Sequence, residues 1–514
     1  MAVKYRMPFQ SSRLSREHQD PRPRLRPGAD RPTALLVTCG ALLALLVSAC
    51  SDSHSSGSTP SGPAADLSQE LSGGNGIFIG TPYPFVTPAG YVDHEYVAQG
   101  TATDYQPKAP LTDDGRWSFE PNTTASYRTR VIVRRPVNAA QASGTVIVEW
   151  LNVSGGVDAD PEYVSLEEEI IRQGHIWVGV SAQLIGVEGG PVLVTVPGAG
   201  DEPGEGLKKI DPARYGSLQH PGDGYSFDIY TQVARAISKG ALLGGVKPKF
   251  VIAAGESQSA IALTTYYDGV QPLTRVFDAF FIHSRGSAGL PLVGPGQYAD
   301  IAGSLTTSAH PVFRDDLDAV VMDIQTESDV TGILSSATVH QPDSDRFRLW
   351  EVTGTSHADA HLVGPMASLI DCGAPINNGP MHLVAKAAFR GLDNWLRTGN
   401  APPIAPRIEL TASSPPVVVR DGDGIALGGV RTPPVDVPVD VLSGVPGPNP
   451  SVICILLGST TPLSDARLAE LYPNRATYVQ DYDAATDRTI QAGFVLEPDR
   501  AALLGFAQPD RINP

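Results

Sequence analysis

Four cysteines in 514 residues are too few for a disulfide-built scaffold, and aromatic residues make up only 7% of the chain. Cationic residues are also scarce: 38 Lys and Arg stand against 55 Asp and Glu, a net charge of -17. The imbalance sharpens past residue 49, where 30 basic residues face 52 acidic ones. A surface this acidic repels phosphate backbones and anionic head groups, which argues against nucleic acid as a partner. Past the N-terminal segment no apolar run reaches the roughly 18 residues that a membrane-spanning helix requires. H-E-x-x-H, paired-cysteine spacing and a Gly-rich nucleotide fingerprint after a strand are all missing, so no metal centre and no cofactor are expected. No internal repeat is present.

What is there begins with a targeting segment. Arg22, Arg24, Arg26 and Arg31 lead into the apolar run Thr33 to Val47, the length of a signal-peptide core. The run ends in Val47-Ser48-Ala49-Cys50, small residues before a cysteine, as in bacterial lipoprotein signals. Residues 1–49 are therefore expected to be a lipoprotein signal peptide and Cys50 the lipidated residue. The Ser/Gly-rich stretch 50–73 is expected to be a flexible tether. At ~0.8 kcal/mol per buried CH₂, more than one acyl chain gives a stable lipid anchor to the membrane. The expected location is exported, on the bacterial cell envelope. Cys39 leaves with the signal, so Cys372 and Cys454 remain as a pair. An oxidising compartment favours a disulfide between them; the alternative is two separate buried thiols.

From residue 74 to 514 the texture is that of one α/β domain. GIFIG, YVDHEYVAQGTATDY and SYRTRVIVRR alternate like strands. Apolar runs then alternate with helical patterns: GTVIVEW, HIWVGVSA, KFVIAAG, RVFDAFFIH, DAVVMDIQT and FRLWEVTG as strands. Helices are expected over 161–173, 228–239 and 381–398. Nearly continuous apolar strands separated by helices predict an α/β fold with a mostly parallel sheet covered on both faces. Residues 186–224 and 284–317 are long irregular insertions, expected to be lids or substrate-binding loops. Residues 402–514 show no independent core pattern and are expected to pack on the main domain as a C-terminal extension, with VICILLG strand-like.

The segment with chemistry in it is KFVIAAGESQSAIALTTYY. An apolar strand runs into Gly255-Glu256-Ser257-Gln258-Ser259 and then into a helix-forming stretch. Such a strand–turn–helix presents a serine hydroxyl above the sheet, and the small residues two before and two after it let neighbouring backbone pack close. Here Ser259 stands in the place of the usual second glycine. Serine is a poor nucleophile at neutral pH unless a base takes its proton and an acid orients that base. Candidates follow in the required order, each just past a strand end: Glu327 and Asp329, then His357. Asp329 is the first choice for the acid and Glu327 the alternative. His283 and His361 also lie near strand ends and are expected to be structural or pocket-lining. For an oxyanion hole, one donor is expected from the backbone N–H of Gln258, and the second from Asn152 or Val153 after GTVIVEW.

VIVEWLNVSGG, RYGSLQHPGDGYSFDI, AAGESQSA, QTESDV and QPDSDRFRLWEVTGTSHAD together resemble the bacterial alpha/beta hydrolase domain-containing family over most of 75–510. The resemblance implies the α/β-hydrolase fold and a Ser–acid–His triad. By membership in these motifs, Tyr215, His220, Asp223 and Arg285 are pocket candidates. The expected function is hydrolysis of a small-molecule carboxylic ester outside the cytoplasm. Amidase, lactonase and acyltransferase chemistry use the same apparatus. The alternative from another class is a non-catalytic lipoprotein that binds ligands or partners on a hydrolase scaffold.

Overall fold

The computed structural model describes residues 61–513, apart from 82, 84, 85 and 306–308. The signal segment, Cys50 and the first part of the tether lie outside the described residues.

The chain opens with β1 (Asp66–Glu70), β2 (Tyr91–Pro107), β3 (Phe119–Pro136) and β4 (Thr145–Trp150). It continues through α1 (Pro161–Gln173), β5 (Ile176–Val180), α2 (Ser226–Ser238), β6 (Phe250–Glu256) and α3 (Gln258–Thr265). Then come β7 (Ala279–His283), β8 (Val320–Thr326), α4 (Glu327–Thr331), β9 (Phe347–Val352) and α5 (Met381–Thr398). Short helical turns link several of these elements.

Nine strands form one sheet in the order β1-β2-β3-β5-β4-β6-β7-β8-β9. The β1, β2, β3 and β5 neighbours pair antiparallel, and from β5 through β9 every pair is parallel. Side chains alternate between two cores. Val146, Val148 and Trp150 of β4 join one apolar cluster with α2 and α3, while Ile147 joins the other with α1 and α5. Burial on both faces is why these strands read as unbroken apolar runs.

Where the local signals agree, the sequence reading and the structure coincide. Helix α1 starts on Pro161, which fits the first helical turn, and stops at Gly174 in the left-handed region with φ 68°. Helix α5 buries Leu383, Val384, Ala387, Ala388, Leu392 and Trp395, and Gly399 ends it with φ 77°. Two early expectations need correction. Residues 66–70, assigned to the tether, form β1 paired with β2, with Ala65 and Leu67 buried beside α2. GIFIG forms no strand; Gly80 N–H instead bonds the Asp158 carbonyl, and Ile79 is buried against the sheet.

The C-terminal extension contains β10 (Asp440–Ser443), α6 (Val452–Leu456), β11 (Ser459–Pro462), α7 (Asp465–Leu471) and α8 (Arg475–Gln491). Strands β10 and β11 make a separate antiparallel pair. Contrary to expectation the extension has a small core of its own, in which Val437, Val439, Leu463, Tyr478, Tyr482 and Ile512 pack together. The strand-like VICILLG run is also corrected: it forms α6 and buries Ile453, Cys454 and Leu457 beside Cys372. A short apolar run has no periodicity that separates a strand from a buried helix. Cys372 and Cys454 are disulfide-bonded, with Cα atoms 5.4 Å apart, so the extension is tied to the loop after β9.

Candidate active site

The chain leaves β4 in one direction to form β5 and returns to β6 on β4's other side. Parallel sheets open a crevice at such a reversal, beyond the strand C-termini. Ser257 follows β6 there, and Asn152 follows β4.

Ser257 has φ 62° and ψ -124°, a strained conformation for a residue with a side chain. Its N–H is held by the His283 carbonyl at 2.9 Å, and its carbonyl accepts from Ile261 N–H in α3. A Cβ on Gly255 would lie 2.8 Å from Ser259 Cβ, so the tight turn needs glycine at 255 and a small residue at 259. Serine there suffices.

The three predicted residues meet. His357 Nε2 lies 2.8 Å from Ser257 Oγ, and His357 Nδ1 lies 2.8 Å from Asp329 Oδ1. Asp329 Oδ2 accepts from Ser284 Oγ at 2.6 Å and from Thr326 N–H at 2.7 Å. His357 N–H donates to Ser328 Oγ at 2.7 Å, which fixes the loop after β9. Burial alone pushes the Asp329 carboxyl up, but the His357 charge and the bonds from His357, Ser284 and Thr326 outweigh it and hold it below the usual range. The carboxylate thus stays ionised beside the imidazole.

Glu327, the alternative acid, does not reach His357. Its Oε1 accepts from Arg420 at 2.6 Å and from Gly444 N–H at 2.9 Å, and its Oε2 accepts from Gly354 N–H at 2.9 Å. It is an anchor for the C-terminal extension, reached only because the chain returns there some ninety residues later.

On the oxyanion side, Gln258 is the first residue of α3, where an N–H has no intrahelical acceptor. The backbone N–H of Asn152 is committed to the Ala159 carbonyl at 2.8 Å. Its side-chain Nδ2 donates one N–H to the Glu256 carbonyl at 3.0 Å and carries a second. Val153 N–H faces Gln258 Oε1 at 3.3 Å.

Ser257, His357 and Asn152 open onto a cleft of about 350 Å³. Its walls are mostly aliphatic, from Val194 and Val196 of the first insertion, Leu362 and Met366 after β9, and Ile453 and Leu456 of the extension. The first insertion is clamped in place by Leu193 and Val194 N–H bonds to the Ser154 carbonyl and by Gly204 N–H to Gly156. Gly156 has φ 80°, and a Cβ on it would lie 2.6 Å from Gly204 N, so the glycine after Asn152 is required for this close approach. Among the described residues of 284–317, none lines the cleft, which corrects the expectation for the second insertion.

The motif-based pocket candidates are corrected as well. Tyr215 Oη bonds Glu95 at 2.9 Å, and His220 Nε2 bonds the Ala182 carbonyl at 2.9 Å. Asp223 accepts from Leu184 N–H at 2.7 Å and Ala299 N–H at 2.8 Å. Arg285 lies over the Phe313 ring and donates to the Pro311 carbonyl at 3.2 Å. All four brace loops around the site without lining it. His361 is structural too, stacked on His382 at 3.8 Å.

A family model described as an alpha/beta hydrolase domain matches residues 61–505. The chain belongs to the alpha/beta hydrolase domain family. The nine-stranded sheet with helices on both faces is that family's fold. No curated protein sequence matches this hydrolase. Among solved structures it is similar to an α/β serine hydrolase without a lid from Xanthomonas campestris, at 13% identity over 57% of this chain and 95% of that one, TM-score 0.27. An α/β serine hydrolase homologue from Coxiella burnetii shows 15% identity over 47% of this chain and 88% of that one, TM-score 0.24. A fungal esterase of Rhizomucor miehei shows 9% identity over 59% and 86%, TM-score 0.28.

Sequence reasoning missed two features of this hydrolase. Ile453 and Leu456 were unreadable as cleft residues because nothing local marks a distant segment that folds back. Glu162, Glu256 and His283 come together just beneath the elbow, with ligand-type atoms within 4.8 Å of one another, although 121 residues separate the first from the last.

Proposed function

We propose that the hydrolase is a serine carboxylesterase, with Ser257 as nucleophile, His357 as base and Asp329 as the acid that orients it. The observation that carries this reading is the hydrogen-bonded chain from Ser257 Oγ through His357 to Asp329, facing a largely apolar cleft. Ser257 Oγ attacks the ester carbonyl while His357 Nε2 takes its proton. The oxyanion is held by the Gln258 N–H and the second Nδ2 N–H of Asn152. His357 then returns the proton to the departing alcohol, leaving an acyl-serine, and activates the water that hydrolyses it. Aliphatic walls, with Glu202 and Glu256 as the carboxylates at the cleft, suit an uncharged ester with an apolar acyl or alcohol group.

A fluorophosphonate probe tests the assignment on the whole chain. Mass mapping should find the adduct on Ser257, with parallel turnover of short-chain p-nitrophenyl esters. An adduct on another residue, or no adduct, sinks the nucleophile.

We also propose that the hydrolase is exported and lipid-anchored through Cys50. The Val47-Ser48-Ala49-Cys50 signal supports this, and the Cys372–Cys454 disulfide suits an oxidising compartment. Cells fed radiolabelled palmitate should label the wild-type chain and leave Cys50→Ala unlabelled. Equal labelling of both counts against the anchor.

A further inference from the structure

Three buried side chains lie under the elbow without serving the triad. Glu162 sits in the first turn of α1, Glu256 is the last residue of β6, and His283 is the last residue of β7. Each is at most 3% exposed. Both oxygens of Glu162, Oε2 of Glu256 and Nδ1 of His283 have no hydrogen-bond partner among the described residues. Buried polar atoms are almost always paired, and one such atom from each of the three residues lies within 4.8 Å of the other two, a convergence that calls for an occupant. Neither carboxylate has a Lys or Arg ion-pair partner among the described residues.

The spacing indicates what the occupant is. His283 Nδ1 is 3.4 Å from Glu162 Oε2 and 3.5 Å from Glu256 Oε2. A charge-assisted N–H···O bond closes to about 2.7–2.9 Å, and a buried imidazolium between two carboxylates has every reason to close at least one. Ligands about 2.0–2.1 Å from a tetrahedral zinc ion stand about 3.3–3.4 Å apart, which both His283 separations match, while the two carboxylates lie within 4.8 Å of each other. An ion would take the place of the proton on His283 Nδ1, and two carboxylates with the resulting neutral imidazole then balance a dication. The nitrogen ligand favours a zinc-type ion over calcium or magnesium, which take oxygen ligands.

We propose that Glu162, Glu256 and His283 form a binding site for a divalent transition-metal ion of the zinc class. The ion ties the start of α1 to the ends of β6 and β7. Those strand ends hold Ser257 directly, since it follows Glu256 in the chain and donates its N–H to the His283 carbonyl. The site is a strut for the elbow, and its existence does not depend on the esterase reading.

The test uses the full-length chain, stripped with a chelator and titrated with Zn²⁺ by calorimetry. Binding of one ion per chain is expected, with a higher Tm than the stripped protein. Cobalt in its place should give the visible absorption of a tetrahedral site. Glu162→Gln and His283→Gln should each weaken Zn²⁺ binding by more than about 100-fold, beyond the loss that outer-shell partners cause. No stoichiometric uptake, or uptake unchanged in both variants, overturns the proposal. Should the variants not fold, an anomalous difference map of Zn²⁺-loaded wild-type crystals decides the matter. A peak between the three side chains upholds the site, and its absence there overturns it.

Discussion

Asp329→Asn is expected to lower ester kcat by about 10⁴-fold with KM nearly unchanged, and Ser257→Ala to lower it by about 10⁶-fold. Asp329 Oδ1 accepts the Nδ1 proton of His357, which leaves Nε2 free to take the serine proton. In the variant the amide oxygen keeps the bonds from Ser284 and Thr326 N–H, so the amide nitrogen faces His357. A donor then meets a donor, the imidazole switches tautomer, and Nε2 carries the proton it was meant to accept. The geometry survives while the chemistry stops. Steady-state kinetics on a short-chain p-nitrophenyl ester checks this, and a variant that keeps a tenth of wild-type kcat sinks the role of Asp329. The same carboxylate contributes to stability in a definite direction. Its folded pKa is depressed, so its contribution is complete above the ordinary aspartate value and is lost as pH falls through the folded one.

Glu327→Ala should produce the opposite pattern: a stability loss of about 3–5 kcal/mol, with a far smaller effect on kcat than Asp329→Asn. The buried carboxylate receives Arg420, the Ser443 hydroxyl at 3.2 Å and the N–H groups of Gly354 and Gly444. Truncation takes the counter-ion from Arg420, which keeps only the Gly424 carbonyl, and leaves three further donors without an acceptor, and the unmatched groups account for most of the cost. Because the extension anchored here supplies Ile453 and Leu456 to the cleft, KM should rise as well. Urea unfolding measures the first effect, and a loss below about 1 kcal/mol would falsify the anchor role. Two carboxylates two residues apart in the short helix α4 are thereby separated by experiment, one by rate and the other by stability.

Much of this architecture is legible in the chain because local signals agree. Pro161 and Gly174 bracket α1, and the apolar runs of β4, β6, β7, β8 and β9 need burial on both faces to exist at all. Reading failed where local pattern is ambiguous or the partner is remote. VICILLG could be strand or helix until the disulfide and its small cluster are seen. Residues 66–70 look like tether because their polar side chains face outward and only pairing with β2 makes them a strand. Tyr215, His220, Asp223 and Arg285 resemble site residues by motif, yet their bonds brace loops, a distinction that requires knowing what each polar atom touches.

The amino-acid sequence alone places Ser257, the Glu327 and Asp329 pair and His357 each just past a strand, because the close of an apolar run marks where the sheet ends. It also determined their order, since chain order is fixed whatever the fold. Which of Asp329 and Glu327 reaches His357 depends on the tertiary structure, for they differ by two residues and so point to different neighbours: one to His357, the other to Arg420. Only that structure joined Glu162, Glu256 and His283, whose separations in the chain carry no ligand spacing. Proximity in a parallel sheet comes from strand order, and strand order is set by how helices pack across both faces, a property of the whole domain that no local window contains.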